Sequence, residues 1–227
     1  MKNKKIILFL ALILIFDFNL IKKFHLNESK IRKIINSYNP DYFIYIKKKK
    51  FKLFVINSKG SIIKIFNIAI GKKKNFGRKI YQGDKGTPEG LYFITEILIS
   101  TAPTNSLSYK KLKKINSVYF KAKDGFHKWG KPWEDLGRNA YGKAFYRLSY
   151  PNQEDIKHYK KLLREGKIPK NKNGKYVGLG SGIAIHGTND PPSIGHMISS
   201  GCIRMLNDDI LLLRHYIKVG TPVYIEK

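Results

Sequence analysis

The stretch from residue 199 to 225, SSGCIRMLNDDILLLRHYIKVGTPVYI, carries both the expected chemistry and the closing elements of the fold. Ser199, Ser200 and Gly201 read as a tight turn that delivers Cys202, the chain's one cysteine, at its exit. Asp208 or Asp209 then starts an amphipathic helix running from Ile210 to Val219, with Gly220 as its C-cap. Thr221 to Ile225 is β-branched and aromatic and reads as a closing strand. A thiol is a weak nucleophile until a base or a positive environment turns it toward thiolate. The candidate base is His186, sixteen positions upstream (202 − 186). One thiol, one base and a Gly turn are the minimum parts for covalent acyl transfer.

The chain between these two residues fits that reading. Ile183 to Ile185 is a short buried strand leading into His186, Gly187 and Thr188. The stretch Pro191-Pro192-Ser193-Ile194-Gly195 carries the chain out and back, so that Nδ1 or Nε2 of His186 meets the sulfur. Backbone N–H groups of the 199–201 turn are candidate donors to a tetrahedral oxyanion. Arg204 is placed to depress the thiol pKa or to grip a substrate carboxylate through two parallel N–H bonds. The competing role for Arg204 is an ion pair with Asp208 or Asp209 that holds the loop. His196 lies in the loop facing the site, to touch substrate or to stabilise that loop. For Cys202 alone the plain alternative is a small buried hydrophobe. His25, His127, His158 and His215 lie outside the motif and read as surface or packing residues.

Toward the N-terminus the pattern is β-rich. Tyr42 to Ile46, Phe51 to Asn57, Ile62 to Ile70 and Leu91 to Ile99 read as strands. Ser58-Lys59-Gly60 turns the second into the third as a hairpin. Gly83 to Gly90 is a loop in which Thr87-Pro88 fixes an extended entry. Residues 100–180 are less regular, with a helix from Asn152 or Asp155 to about Glu165. Trp129 and Trp133 either line a groove for glycan or peptide or pack this segment. The fold class is therefore mainly β with short helices (α+β).

Composition narrows the partners. The net charge is +28, from 44 Lys and Arg against 16 Asp and Glu. The lysines are spread along the chain, and no Cys/His finger, aromatic RNA motif or helix-turn-helix accompanies them. Nucleic acid is not expected as a partner; lysines spread this evenly read as compositional bias or as suited to an anionic envelope surface. Lys2, Lys4 and Lys5 precede an apolar run from Ile6 to Phe16, which ends at Asp17. That is an export pattern: residues 1–21 read as a signal peptide or an N-terminal membrane anchor. Residues 22–40 read as a linker or short helix, and 41–227 as one domain with an insertion at about 100–180.

These residues resemble the L,D-transpeptidase catalytic domain, the YkuD family. The resemblance rests on the opening hairpin from Tyr45, on Thr87-Pro88-Glu89-Gly90, on IAIHGT (183–188) with Ser193-Ile194-Gly195, and on the 199–225 stretch. It implies a compact β-sandwich or barrel-like domain and cysteine acyl transfer on peptidoglycan stem peptides. Cys202 would be the nucleophile and His186 the base, oriented by a carbonyl or hydroxyl around Gly187 and Thr188. Arg204, Ser199, Ser200, Gly201, Gly187, Thr188 and His196 would then bind substrate, with no metal or organic cofactor. The chain has Ser200 where the family more often has a second His. The piece YRLSYPNQED (146–155) resembles a subset that hydrolyses rather than cross-links, so an L,D-carboxypeptidase or amidase is the alternative. A non-enzymatic, basic cell-wall or nucleic-acid binding protein is the reading of another class.

Overall fold

The structure, a computed structural model, describes Ile21 and residues 23–227. The apolar run at 6–16 lies outside the described residues, and among those described no helix is long and apolar enough to cross a membrane.

The strands are β1 (Tyr42–Lys47), β2 (Lys52–Asn57), β3 (Ile62–Asn67), β4 (Ile70–Gly71), β5 (Gly90–Ile99), β6 (His127–Lys128), β7 (Lys131–Asp135), β8 (Ala144–Leu148), β9 (Ala184–His186), β10 (Met197–Ser199), β11 (Ile203–Arg204) and β12 (Pro222–Glu226). The helices are α1 (Glu28–Tyr38), α2 (Leu107–Asn116), α3 (Gln153–Arg164) and α4 (Asn207–Leu213). Eight strands form one sheet in the order β11-β9-β8-β5-β12-β1-β2-β3, and β10 pairs with β4 beside it. The chain is mainly β with short helices, as its sequence predicts.

The sequence of β1 and β2 explains how the sheet is covered. Both strands are continuous apolar runs, and successive side chains of a strand point to opposite faces. Ile44, Ile46, Leu53 and Val55 enter the main core with Tyr146, Ile185, Ile203 and Ile210. Phe43, Tyr45, Phe54 and Ile56 point the other way and are covered by Ile31 and Ile34 of α1. Of the two readings for residues 22–40, the described part shows the helix. Asn27 caps it through its side chain, accepting from Lys30 N at 3.0 Å, and Asn39 ends it at φ 39°.

Two elements depart from their sequence reading. The expected strand Ile62–Ile70 breaks after Asn67: Ile68 N–H donates to Phe51 O, and Ala69 N–H donates to Arg204 O. The chain thereby leaves β2 and joins the strands around the candidate site. The expected helix to Val219 ends at Leu213 and continues as one 3-10 turn, Arg214–Tyr216. Arg214 Nη1 donates to Ile217 O and Lys218 N–H to Thr221 Oγ1, which closes a turn in which Gly220 sits at φ 92°. Gly220 belongs to that turn and is not the helix cap. Asp208 and Asp209 lie in the first turn of α4 and do not cap it either; the N-cap position is Leu206.

Within residues 100–180, β8 is an inner strand of the main sheet, between β5 and β9. Residues 117–137 form a small lobe carrying the β6–β7 hairpin. Helix α3 starts at Asn152 with a reciprocal capping box: Asn152 accepts from Asp155 N at 2.9 Å and Asp155 from Asn152 N at 3.1 Å.

Candidate active site

Parallel pairing of β9 with β11 brings the two candidate residues together. Ile185 stands opposite Ile203, and His186 opposite Arg204. Cys202 thus enters its strand beside the one that ends on His186. Both line a cavity of about 420 Å³, together with Arg204, Ser199, Ser200, Tyr141 and Lys79. Phe126 and Leu136 of the 117–137 lobe form part of its wall.

The imidazole is fixed in one tautomer. Nδ1 of His186 lies 2.6 Å from Gly187 O. A carbonyl can only accept, so Nδ1 carries the proton and Nε2 keeps the lone pair. Of the two nitrogens left open by the sequence, Nε2 is the one available as base. The ring is buried, edge-on to Tyr141 at 5.0 Å and stacked toward Phe145 at 6.0 Å. Burial, seconded by the Arg204 cation, pulls its pKa down to about 3. The imidazole is neutral at any ordinary pH. Cys202 is half-buried, and its Sγ donates to Gly182 O at 3.6 Å. Burial pushes the thiol pKa up, against the Ala184 N–H and the Arg204 charge. Thiol and imidazole therefore rest as a neutral pair.

Arg204 is buried, and its nearest acid is Asp190, with Nη1 to Oδ2 at 3.7 Å. That contact is an ion pair too long for a hydrogen bond, and Nε and Nη1 have no hydrogen-bond partner. Asp208 pairs with Lys143 at 3.0 Å instead, so the Arg204–Asp208/Asp209 pairing weighed from sequence is not what forms. Asp190 is the partner the sequence reading missed. The same carboxylate accepts from Trp129 N at 3.0 Å, tying the lobe to the site.

The turn residues divide between wall and frame. Ser200 is exposed on the cavity wall. Ser199 is buried; its hydroxyl donates to Cys202 O at 2.5 Å and accepts from Gly201 N–H at 3.1 Å. It braces the turn from within, and the Gly201 amide is already engaged. Gly201 sits at φ 133°, where a Cβ would stand 2.8 Å from Gly86 O. Its carbonyl accepts from the Thr87 hydroxyl at 2.9 Å, and Thr87 Oγ1 in turn accepts from Gly71 N–H at 2.8 Å. Thr87 is thus the brace behind the cysteine turn, a role the sequence did not disclose because its partner lies 114 positions away. Lys48, also buried, holds that loop by donating to Thr87 O at 3.2 Å.

Gly187 and Thr188 frame His186. A Cβ on Gly187 would meet Asn207 Oδ1 at 2.3 Å. Asn207 Nδ2 donates to Thr188 O at 3.0 Å, and Thr188 Oγ1 accepts from Asp190 N–H at 3.1 Å. His196 lies outside the residues lining the cavity; its ring stacks on Trp129 at 3.9 Å between centroids and 14° between planes. That stacking joins the loop of His196 to the β6–β7 hairpin.

Comparison with known proteins adds an independent line. A profile of the L,D-transpeptidase catalytic domain, YkuD, matches residues 41–225. A protein of Bacillus subtilis called putative L,D-transpeptidase YqjB is 41% identical over 75 residues, 30% of this chain and 43% of that protein. One of Salmonella typhimurium called probable L,D-transpeptidase ErfK/SrfK is 48% identical over 58 residues, 25% of this chain and 19% of that protein. These matches span less than half of either relative. Among solved structures, Bd1075 of Bdellovibrio bacteriovorus is similar at 26% identity with a TM-score of 0.45, covering 82% of this chain and 48% of that one. The matched profile takes in the sheet from β1 to β12, His186 and the Cys202 turn, and on that extent the chain belongs to the YkuD family of L,D-transpeptidase catalytic domains.

Proposed function

We propose that the protein is an exported cysteine acyltransferase acting on peptidoglycan stem peptides. The observation that carries this is the tautomer lock: Gly187 O holds the Nδ1 proton of His186, leaving Nε2 as base in the cavity that also holds Cys202. In the first half-reaction Sγ attacks the carbonyl of the L-centre of a tetrapeptide's diaminopimelate, and Nε2 takes the thiol proton. The tetrahedral adduct collapses to a thioester, and the Nε2 proton leaves with the terminal D-Ala amine. In the second half-reaction an acceptor amine attacks the thioester, Nε2 takes its proton, and the proton returns to the departing thiolate. Water in place of the amine gives hydrolysis by the same residues. Because the resting pair is neutral, the proton moves during attack and not before it. Oxyanion stabilisation falls to donors other than the Gly201 amide, which Ser199 holds.

The test is to incubate the full chain with purified tetrapeptide muropeptides, with and without an amine acceptor, and to identify products by mass spectrometry. Loss of D-Ala with a new amide linkage supports transfer. Loss of D-Ala with a free acid, acceptor present, supports the hydrolase alternative. No product in either case overturns the assignment.

Arg204 holds a substrate carboxylate. Arg204 lines the cavity, its Nε and Nη1 have no hydrogen-bond partner, and a carboxylate takes two parallel N–H bonds along one edge of a guanidinium, an edge that includes Nη2. Lys keeps the charge but not the fork. Arg204→Lys is expected to lower kcat/KM roughly 10- to 100-fold, since a hydrogen bond to a charged group contributes about 1.5–3 kcal/mol. The melting temperature should hold. A loss of activity that only tracks a lowered folded fraction would make Arg204 a frame residue.

Export rests on the basic and apolar N-terminus, Lys2 to Phe16. A reporter enzyme that works only outside the cytoplasmic membrane, fused after Lys227, should be active. Activity solely of a cytoplasm-restricted reporter would contradict export.

A further inference from the structure

The β6–β7 hairpin carries two tryptophans, and the structure gives them different work. Trp129 is 38% exposed, stacked on His196, and its N–H is held by Asp190. Trp133 is 77% exposed, an unusual position for the largest apolar side chain. The hairpin under it is firmly built. Leu136 N–H donates to Phe126 O at 2.9 Å at its base, and Asp135 accepts from Tyr119 OH at 2.8 Å and from Ala122 N–H. Phe120 packs between Phe126, at 5.0 Å, and Tyr141, at 5.9 Å. Phe126 and Leu136, which close the base, are themselves cavity wall. Trp133 stands three residues from Leu136 along extended chain, roughly 10 Å.

The charge on this element is also distinctive. In a chain of net charge +28, residues 127–135 hold Lys128 and Lys131 against Glu134 and Asp135, which is zero. Both lysines pair with Glu134, Lys131 at 2.9 Å. A surface meant for a polyanion would leave those lysines free; this one neutralises them around a bare indole.

We propose that Trp133 is a stacking platform for a sugar ring of the glycan strand to which the stem peptide is attached. This rests on the reading of peptidoglycan as substrate. One face of a pyranose ring is a set of C–H groups, and the negative face of an aromatic ring attracts them without needing charge. The peptide enters the cavity beneath Arg204 while its glycan crosses the hairpin outside the wall. The platform makes the enzyme prefer glycan-linked donors over free peptides.

Two measurements test it separately from the catalytic reading. The first is retention of the full chain on purified glycan strands stripped of peptide, which involves no turnover. Trp133→Ala should weaken retention roughly five- to tenfold, the range expected of one aromatic contact, and Trp133→Phe should restore most of it. The second compares KM for a free tetrapeptide and for the same peptide on its disaccharide. Trp133→Ala should raise KM for the disaccharide-linked donor several-fold more than for the free one. Unchanged retention by Trp133→Ala overturns the platform even if catalysis is normal. So does an equal loss on both donors. Retention that depends on salt but not on Trp133 would assign the surface to a charged polymer and overturn it too. If neither donor is turned over by the wild type, the catalytic reading fails while retention still decides the platform.

Discussion

Cys202→Ala is expected to abolish turnover of a tetrapeptide donor, and only the wild type should show an acyl adduct on this residue by intact-protein mass spectrometry. The reason is chemical: the chain has one thiol, and it lines the same cavity as His186. Neither serine of the turn takes its place. Ser199 is buried with its hydroxyl bonded on both sides, and Ser200 lies exposed with no base assigned to it. The variant should fold, because Cys202 is half-buried at the margin of a small cluster with Leu98, Leu112, Phe145 and Ala184. Removing one sulfur from such a site opens little cavity. Full activity of a folded Cys202→Ala chain would remove the covalent mechanism.

The two residues proposed to do the chemistry were the legible ones. A unique Cys after a Gly turn and a His after a β-branched run are local signals, and β9–β11 pairing puts them side by side as that pattern required. What the sequence concealed is the long-range frame. Asp190 reads as an ordinary loop acid, yet it faces Arg204 and anchors Trp129 61 positions away. Thr87 reads as part of an extended loop, yet its hydroxyl supports the Gly201 carbonyl. No periodicity reports such contacts, because each joins two loops whose order depends on the finished sheet.

The fold shows the same division. Continuous apolar runs at β1 and β2 predicted strands but could not say what would cover their second face. Alternation of Phe43 and Tyr45 against Ile44 and Ile46, with α1 supplying Ile31 and Ile34, is a tertiary fact. The break at Ile68 was hidden because β-branched residues continue across it. The new hydrogen-bond partners, at His196, Ser199 and Arg204, lie some 130 residues on. The end of α4 was hidden for the opposite reason: the apolar pattern runs past Leu213, and Arg214 and Thr221 override it through side-chain bonds to the backbone.

His186→Gln is expected to lose at least about 100-fold in kcat, the lower end of what a positioned general base contributes. Ser200→Ala should change kcat less than about twofold, since its side chain is exposed and braces nothing in the turn. Equal losses in the two variants would mean the base is misassigned. The pH dependence gives a second readout that a merely structural histidine in solvent would not. The folded pKa of His186, about 3, lies below the ordinary value near 6.5. Between those values the unfolded chain binds a proton that the folded chain refuses, so stability is full above pH 6.5 and falls as pH drops toward 3. Wild-type urea unfolding should show that loss, and His186→Gln should show less of it. The same depressed value keeps Nε2 unprotonated in mild acid. The acid limb of kcat/KM should accordingly lie well below pH 6.5, toward 3, rather than at the ordinary histidine value. An acid limb centred at 6.5, with wild-type and Gln chains equally stable from pH 7 to pH 4, would show an imidazole that water reaches. The neutral thiol–imidazole pair would then have to be abandoned for a preformed ion pair.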